Sequence, residues 1–149
     1  LEGVYASVID AESGAVFQAA TLIDATAINP RCVPLGPNPS LCYVDTSSSP
    51  YHLKCVQVDT NNPVAFKSAN TISSVVNTTN PVYDVTVYSD HATSGNAVFC
   101  YNNSGTTRID VGYITVDGEV GTPGNGYTGT TTITSTTATD TIAICGDKV

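Results

Sequence analysis

The amino-acid sequence predicts an all-β protein. We expect a two-sheet β-sandwich of the immunoglobulin/fimbrial-like or jelly-roll kind, with a β-barrel as the alternative. Segments in which apolar and polar residues alternate recur about every ten residues, which is typical of such folds. Charged residues make up only 12% of the 149 residues, and Thr, which supplies much of the remaining polarity, favours strands. We predict one β-rich domain over residues 1–149, with residues 1–14 as an N-terminal donor or edge strand.

The segment from Pro81 to Asp90 carries the clearest strand pattern in the chain. Side chains at every second position share one face of a strand. One face holds Tyr83, Val85 and Val87, and the other holds Asp84, Thr86 and Tyr88. Pro81 can begin the strand because the first residue need not donate to the ladder.

The N-terminal residues fit a β-hairpin. Val4 to Ile9 reads as a strand, Asp10 to Gly14 as a solvated turn, and Ala15 to Gln18 as the returning strand. The alternative is a helix over Ala15 to Ala27, because apolar residues also recur there at helical spacing.

Prolines and turn residues divide the remaining chain. Five prolines predict a loop from Asn29 to Pro50, because each one removes a backbone donor. The apolar residues of the longest later strand change parity at Gly112, so we expect a bulge at Gly112-Tyr113. The further predicted strands are Tyr51 to Val58, Val64 to Phe66, Thr71 to Val76, Ala97 to Tyr101, Thr106 to Asp117, Thr130 to Ser135 and Thr141 to Cys145.

The charge balance excludes some partners. The chain has 5 Lys and Arg against 13 Asp and Glu, giving a net charge of −8. Nucleic acid and anionic membrane surfaces are bound through clustered cations, so neither is an expected partner. The chain contains no apolar run long enough to span a membrane.

Five cysteines indicate disulfides and therefore a secreted protein at the cell surface or outside the cell. There is no Cys-x-x-Cys pair and no His at zinc-finger spacing, so a metal site is the weaker interpretation. We predict a local bridge between Cys32 and Cys42 and a second between Cys100 and Cys145. Cys55 is then unpaired or intermolecular.

Two asparagines lie in N-glycosylation sequons. These are Asn77, followed by Thr78-Thr79, and Asn102, followed by Asn103-Ser104. Both are compatible with a glycosylated exterior.

No residue pattern indicates catalysis. Ser89, Asp90 and His91 are adjacent in sequence, and neighbours on a strand point to opposite faces, which argues against a triad. His52 lies three residues before Cys55, which is too little to support a nucleophile and base. Paired carboxylates are too common here to be specific, and no phosphate loop is present. We predict no enzyme activity, no catalytic residue, no metal and no cofactor.

These observations favour an extracellular structural subunit that self-associates into a filament, appendage or surface layer. An apolar, uncharged strand can complete a neighbour's sheet, and a contact that does not close builds a filament. The alternative is a secreted monomeric binding module or effector that recognises a carbohydrate or protein; a second alternative is a small secreted hydrolase. The predicted strand-donor residues are Val4, Tyr5, Ala6, Val8 and Ile9.

Overall fold

The computed structural model describes residues 3–34, 39–59, 65–91, 94–104, 109–115 and 120–121. These residues form strands and contain no helix, which confirms the all-β prediction. The strands are β1 (Val4–Ile9), β2 (Val16–Asp24), β3 (Ala27–Val33), β4 (Ser40–Asp45), β5 (Tyr51–Asp59), β6 (Ala65–Phe66), β7 (Asn70–Val76), β8 (Tyr83–His91), β9 (Ser94–Asn102), β10 (Ile109–Thr115) and β11 (Val120–Gly121).

The strands pair in three antiparallel sheets, none of which is closed among the described residues. β1 and β2 form a two-stranded ribbon, which confirms the hairpin and shows that the helix over Ala15 to Ala27 is wrong. β3, β4, β5 and β6 form a larger sheet in that order, with β7 also paired to β5, and β11, β10, β9 and β8 form the third sheet.

The main core takes buried residues from both larger sheets. Tyr83 is buried there, with Val85 and Val87 packed against it, so the face predicted for this strand is confirmed. The buried members are Val33, Cys42, Val44, Leu53, Cys55, Ile72, Val76, Tyr83, Ala97, Phe99 and Tyr101.

A second core lies on the other face of the five-stranded sheet. Every residue of β4 is buried, because alternate side chains enter different cores. The stem of the β1–β2 ribbon, meaning the start of β1 and the end of β2, covers this second face. The buried members are Val4, Ala27, Leu41, Tyr43 and Val56, with Ala6, Ile23 and Phe66 partly buried against them.

Tyr83 ties the two larger sheets together. Its hydroxyl lies 2.8 Å from the carbonyl oxygen of Asn29 and 2.9 Å from that of Cys42, and donates its proton between them. The guanidinium carbon of Arg31 is 5.8 Å from the centre of the tyrosine ring, and its Nη1 lies 3.6 Å from Asp84 Oδ1. Burial raises the pKa of Tyr83, so its hydroxyl keeps its proton, and with it this bridge, even in mildly alkaline solution.

The loop predicted from Asn29 to Pro50 is wrong in two places, because β3 and β4 lie within it. The β3–β4 register shifts between Ile28 and Arg31, and Asn29 has a φ of 53° there. Pro30 therefore lies in a bulge on a strand at the edge of its sheet, where a missing backbone donor is tolerated.

The predicted bridge between Cys32 and Cys42 is also wrong. Cys42 lies directly opposite Cys55 on the neighbouring strand and is bonded to it. Cys32 lies opposite Leu41, so its side chain is on the other face of the sheet from Cys42. Cys55 is therefore not the unpaired cysteine.

Two described cysteines carry free thiols: Cys32 is exposed and Cys100 is buried. Cys145, the predicted partner of Cys100, lies outside the described residues.

The bulge predicted at Gly112-Tyr113 is absent, because β10 pairs with β9 in an unbroken register from Ile109 to Thr115. The strands predicted over Thr130 to Ser135 and Thr141 to Cys145 lie outside the described residues. The strand predicted over Tyr51 to Val58 is confirmed as β5.

Candidate self-association surface

The β1–β2 ribbon, residues 4–24, carries most of the large apolar side chains that the described part of the chain exposes. Seven such side chains are exposed, and five of them lie on this ribbon. Val16 and Phe17 are 61% and 57% exposed. Clustered exposed apolar side chains mark interaction sites, and a two-stranded hairpin is at best marginally stable alone in water. The five side chains are Tyr5, Ile9, Val16, Phe17 and Leu22.

Cross-strand pairing arranges four of these side chains on one side, here called the outer face. Tyr5 lies opposite Leu22, and Ile9 lies opposite Val16. Directly opposed residues of an antiparallel pair project to the same side of the sheet. The outer face therefore consists of two apolar cross-strand pairs, and Ser7 lies between them on β1.

The turn at the tip of the ribbon is held by its own hydrogen bonds. Asp10 Oδ1 accepts from the backbone N–H groups of Glu12 at 2.8 Å and Ser13 at 3.0 Å. These hydrogen bonds, from Ser13 first and then Glu12, lower the pKa of the Asp10 carboxyl. Asp10 N–H donates to the Ala15 carbonyl at 2.8 Å, and Gly14 adopts a φ of 73°. The acidic side chains here belong to a solvated turn, as predicted.

The two edges of the ribbon differ in regularity. The pairing contains three register shifts, and the nine residues of β2 oppose the six of β1, so the surplus residues lie on β2. Near one shift, Gln18 Nε2 donates to Thr21 Oγ1 at 3.0 Å, and this hydroxyl donates to the Ala19 carbonyl at 3.0 Å. Bulges bend an edge and make it a poor template for another strand. β1 has no bulge, no Pro and no charge, and within the described residues it pairs only with β2.

A polar cluster, here called the stem clamp, fixes the ribbon to the five-stranded sheet. It consists of Asp24, Thr26, Tyr43, Asp45 and Lys54. The Thr26 hydroxyl lies 2.8 Å from one oxygen of Asp24 and 2.8 Å from one oxygen of Asp45. Lys54 Nζ lies 2.6 Å from the other oxygen of Asp45, and Tyr43 is hydrogen-bonded to Asp24. The ribbon stem is therefore joined by side chains to β4, and Lys54 of β5 holds Asp45 from the neighbouring strand.

Two titratable groups of the clamp, Asp45 and Tyr43, each have one dominant protonation state at neutral pH. Burial favours the protonated form of Asp45, but the hydrogen bonds from Lys54, Ser47 and Thr26 outweigh it and hold its pKa well below the usual range. Burial, reinforced by the two neighbouring carboxylates, raises the pKa of Tyr43 to about 12. Asp45 is therefore ionised and Tyr43 neutral, which are the forms that accept from Lys54 and donate to Asp24.

Close packing also restricts the first described residue, Gly3. Its φ is 97°, and a Cβ built on it would lie 2.5 Å from the carbonyl oxygen of Asp24 and 2.7 Å from the Cα of Ala25. Only glycine fits this contact without a shift of the backbone. The start of β1 therefore packs directly on the backbone that follows β2.

The structure divides the predicted strand-donor residues between two sides. Val4 is buried in the second core, and Ala6 is packed against it, so both face the protein's own sheet. Tyr5 and Ile9 are exposed on the outer face. The contribution of β2 to this face does not follow from the sequence, because its apolar residues are compatible with either a helix or a strand.

The two sequons occupy different surroundings. Asn77 is partly exposed, and its Oδ1 accepts from the backbone N–H groups of Thr79 at 2.8 Å and Asn80 at 2.9 Å. Asn102 is 6% exposed, and its Nδ2, the atom that would carry a glycan, donates to the Asn80 carbonyl at 3.3 Å. Glycosylation at either position stays a prediction, and Asn77 is the more accessible.

The described residues hold no group of three or more His, Cys, Asp or Glu side chains that could bind a metal ion. Nor does any helix capable of crossing a membrane occur among them. His52 is partly exposed and lies opposite Asp45 in the register, and His91 ends β8. Comparison with protein-family models, curated proteins and solved structures finds no match.

Proposed function

We propose that this protein is an extracellular structural subunit of a β-rich assembly, and that copies associate through the β1–β2 ribbon. The observation that carries this proposal is the set of large apolar side chains exposed on the ribbon. A surface of this kind promotes aggregation in a protein that functions as a monomer, whereas it forms an interface in a protein that assembles.

Apart from the bulges on β2, the ribbon lacks the features that normally keep strands from associating. Exposed edges are commonly protected by Lys, by Pro or by inward-pointing charges. No Lys or Arg precedes Arg31 in the sequence, and β1 and β2 contain no proline. Their one charged residue is Asp24, which is engaged in the stem clamp.

Electrostatics favours this surface as the site of self-association. Two copies with a net charge of −8 repel each other, so they should meet where neither carries charge. The outer face provides such a surface. Added salt screens the repulsion and leaves apolar burial intact, so self-association should strengthen with ionic strength. Binding to a cationic partner would weaken.

The rest of the molecule is compatible with an extracellular scaffold. Two larger sheets that share one core support a β-sandwich of the immunoglobulin/fimbrial-like or jelly-roll kind. The Cys42–Cys55 disulfide supports a protein that matures in an oxidising compartment.

Light scattering as a function of protein and salt concentration tests the proposal. The wild type should grow in mass with both. The variant Ile9→Thr/Val16→Thr keeps β-branched residues but removes an apolar pair from the outer face, and it should need at least ten-fold more protein to associate. The matched control is Val75→Thr, an exposed position on β7, which should associate like the wild type.

Circular dichroism checks that the three proteins share one fold. Wild-type protein that remains monomeric up to its solubility limit would refute the proposal. A monomeric binding module or effector would then be the better description.

A further inference from the structure

We infer that the outer edge of β1 docks on the same edge of a second copy, antiparallel to itself, about a two-fold axis at Ser7. This inference rests on the proposed function and specifies its first contact.

The edge follows from the distribution of bulges. The residues in excess lie on β2, and Gln18 and Thr21 bond to one another and to the Ala19 carbonyl along it. β1 is regular, and outside its pairing with β2 it pairs with no other described strand. A second strand can add main-chain hydrogen bonds along a regular edge.

The partner follows from the charge of this edge. β1 is VYASVI, which carries no charged side chain, so two copies can align without opposing like charges. In a register centred on Ser7, Asp10 of one copy falls opposite Val4 of the other. A cationic partner would gain no electrostatic attraction from β1, because β1 has no charged side chain.

The register follows from the faces of the ribbon. A two-fold axis perpendicular to the sheet keeps each residue on its own face, so opposed residues must have the same parity. Centring on Ser7 places Tyr5 opposite Ile9 of the second copy and leaves the small Ser7 opposite itself. Centring on Ala6 would instead place Tyr5 opposite Ser7 and break the apolar row.

The Ser7 register doubles the outer face. Each row then runs from Leu22 through Tyr5 to Ile9 and Val16 of the second copy, because the pairs within each ribbon are Tyr5 with Leu22 and Ile9 with Val16. This contact closes on itself and makes a dimer. The doubled apolar face is then the surface on which dimers stack into a larger assembly.

Engineered disulfides test the register in full-length protein that carries Cys32→Ser to remove the exposed native thiol. Opposed residues of an antiparallel pair have Cα atoms about 4.5 or 5.5 Å apart, within the range that a disulfide bridges. Ser7→Cys should therefore form a covalent dimer under a glutathione redox buffer. Ser7 is exposed, so this substitution should not disturb the fold.

The matched controls are Tyr5→Cys and Ile9→Cys, which lie on the same face of the same strand. Two copies of either residue would be offset by four positions, about 14 Å, so neither variant should cross-link alone. A mixture of the two should cross-link as a heterodimer. Each of these variants also loses one apolar side chain of the outer face, so the comparison that decides the register is between the mixture and either variant alone. We expect at least ten-fold more covalent dimer from the mixture.

A second variant tests the axis without disulfide chemistry. Ser7→Lys places two like charges opposite each other and should raise the dissociation constant at least ten-fold, whereas Ser13→Lys in the turn should change it little. Association of the wild type without selective cross-linking at Ser7 would overturn this inference and leave the proposed function standing. A wild type that stays monomeric would remove both.

Discussion

The substitution Asp45→Asn tests whether the stem clamp holds the ribbon to the sheet. Asp45 is buried, and it accepts hydrogen bonds from the Thr26 hydroxyl and the Ser47 N–H, both at 2.8 Å. Its second oxygen is 2.6 Å from Lys54 Nζ. Asn has nearly the same shape, so the variant removes the negative charge with little change in volume and leaves Lys54 without its ionic partner.

The expected loss follows from the burial of the pair. Removing one partner of a buried ion pair costs about 3–5 kcal/mol. The Lys54 side chain is 24% exposed, so water partly solvates its charge after the substitution. The Asn oxygen also keeps an acceptor for Ser47 or Thr26. We therefore expect the free energy of unfolding to fall by about 2–3 kcal/mol at neutral pH.

The pH dependence has a definite sign. The pKa of Asp45 is lowered in the folded state, whereas an unfolded Asp titrates at about 3.9. The contribution of its charge to stability is therefore complete above about pH 4 and shrinks as the pH falls toward the lower folded value. The difference in stability between wild type and Asp45→Asn should be largest at pH 7 and smaller at pH 2.5.

Urea denaturation followed by circular dichroism measures this difference at both pH values. Glu12→Gln, in the exposed turn, is the charge-matched control and should be unchanged. A loss below about 1 kcal/mol at pH 7, or a loss that is the same at pH 2.5, would contradict the assigned role of the clamp.

Three further predictions concern single positions. Gly3→Ala should destabilise more than Gly14→Ala in urea denaturation, because both have positive φ but only Gly3 would meet backbone atoms. Alkylation of native protein followed by peptide mapping should modify Cys32 at least about 100-fold faster than Cys100, since burial raises the pKa of Cys100 to about 11; equal rates would contradict its burial. Tyr83→Phe should lower the free energy of unfolding by about 1–2 kcal/mol, because two carbonyl oxygens lose their shared donor, and an unchanged value would show that the bridge is dispensable.

The sequence predicts strands best where one face of the strand is buried and the other is exposed to solvent. Tyr83, Val85 and Val87 alternate cleanly because they enter the main core, and the corresponding strand was found. β4 gave no such pattern, since both of its faces are covered and all six residues are buried. Its neighbour β3 was hidden by Pro30, whose place in an edge bulge cannot be inferred without knowing which strand lies at the edge.

The disulfide was mispredicted for a related reason. Cys32 and Cys42 are close in sequence, and a short separation favours a local bridge. Separation in sequence does not show on which face of a sheet each side chain lies. Parity across the sheet decides the pairing instead, because a one-residue change of register moves every side chain to the other face. The bulge in β3 sets the β3–β4 register and places Cys32 opposite Leu41, on the other face from Cys42, whereas the separate β4–β5 register places Cys42 opposite Cys55.

The buried polar clamp fixes the position of the exposed apolar side chains. An apolar ribbon on a flexible stem would meet other molecules in many orientations, and the result would be aggregation rather than assembly. The stem of this ribbon is fixed by Val4 in the second core, by the backbone contact at Gly3 and by the ionised Asp45. These contacts fix the outer face relative to the sheets, and a fixed face is what the proposed repeating contact between identical subunits would require.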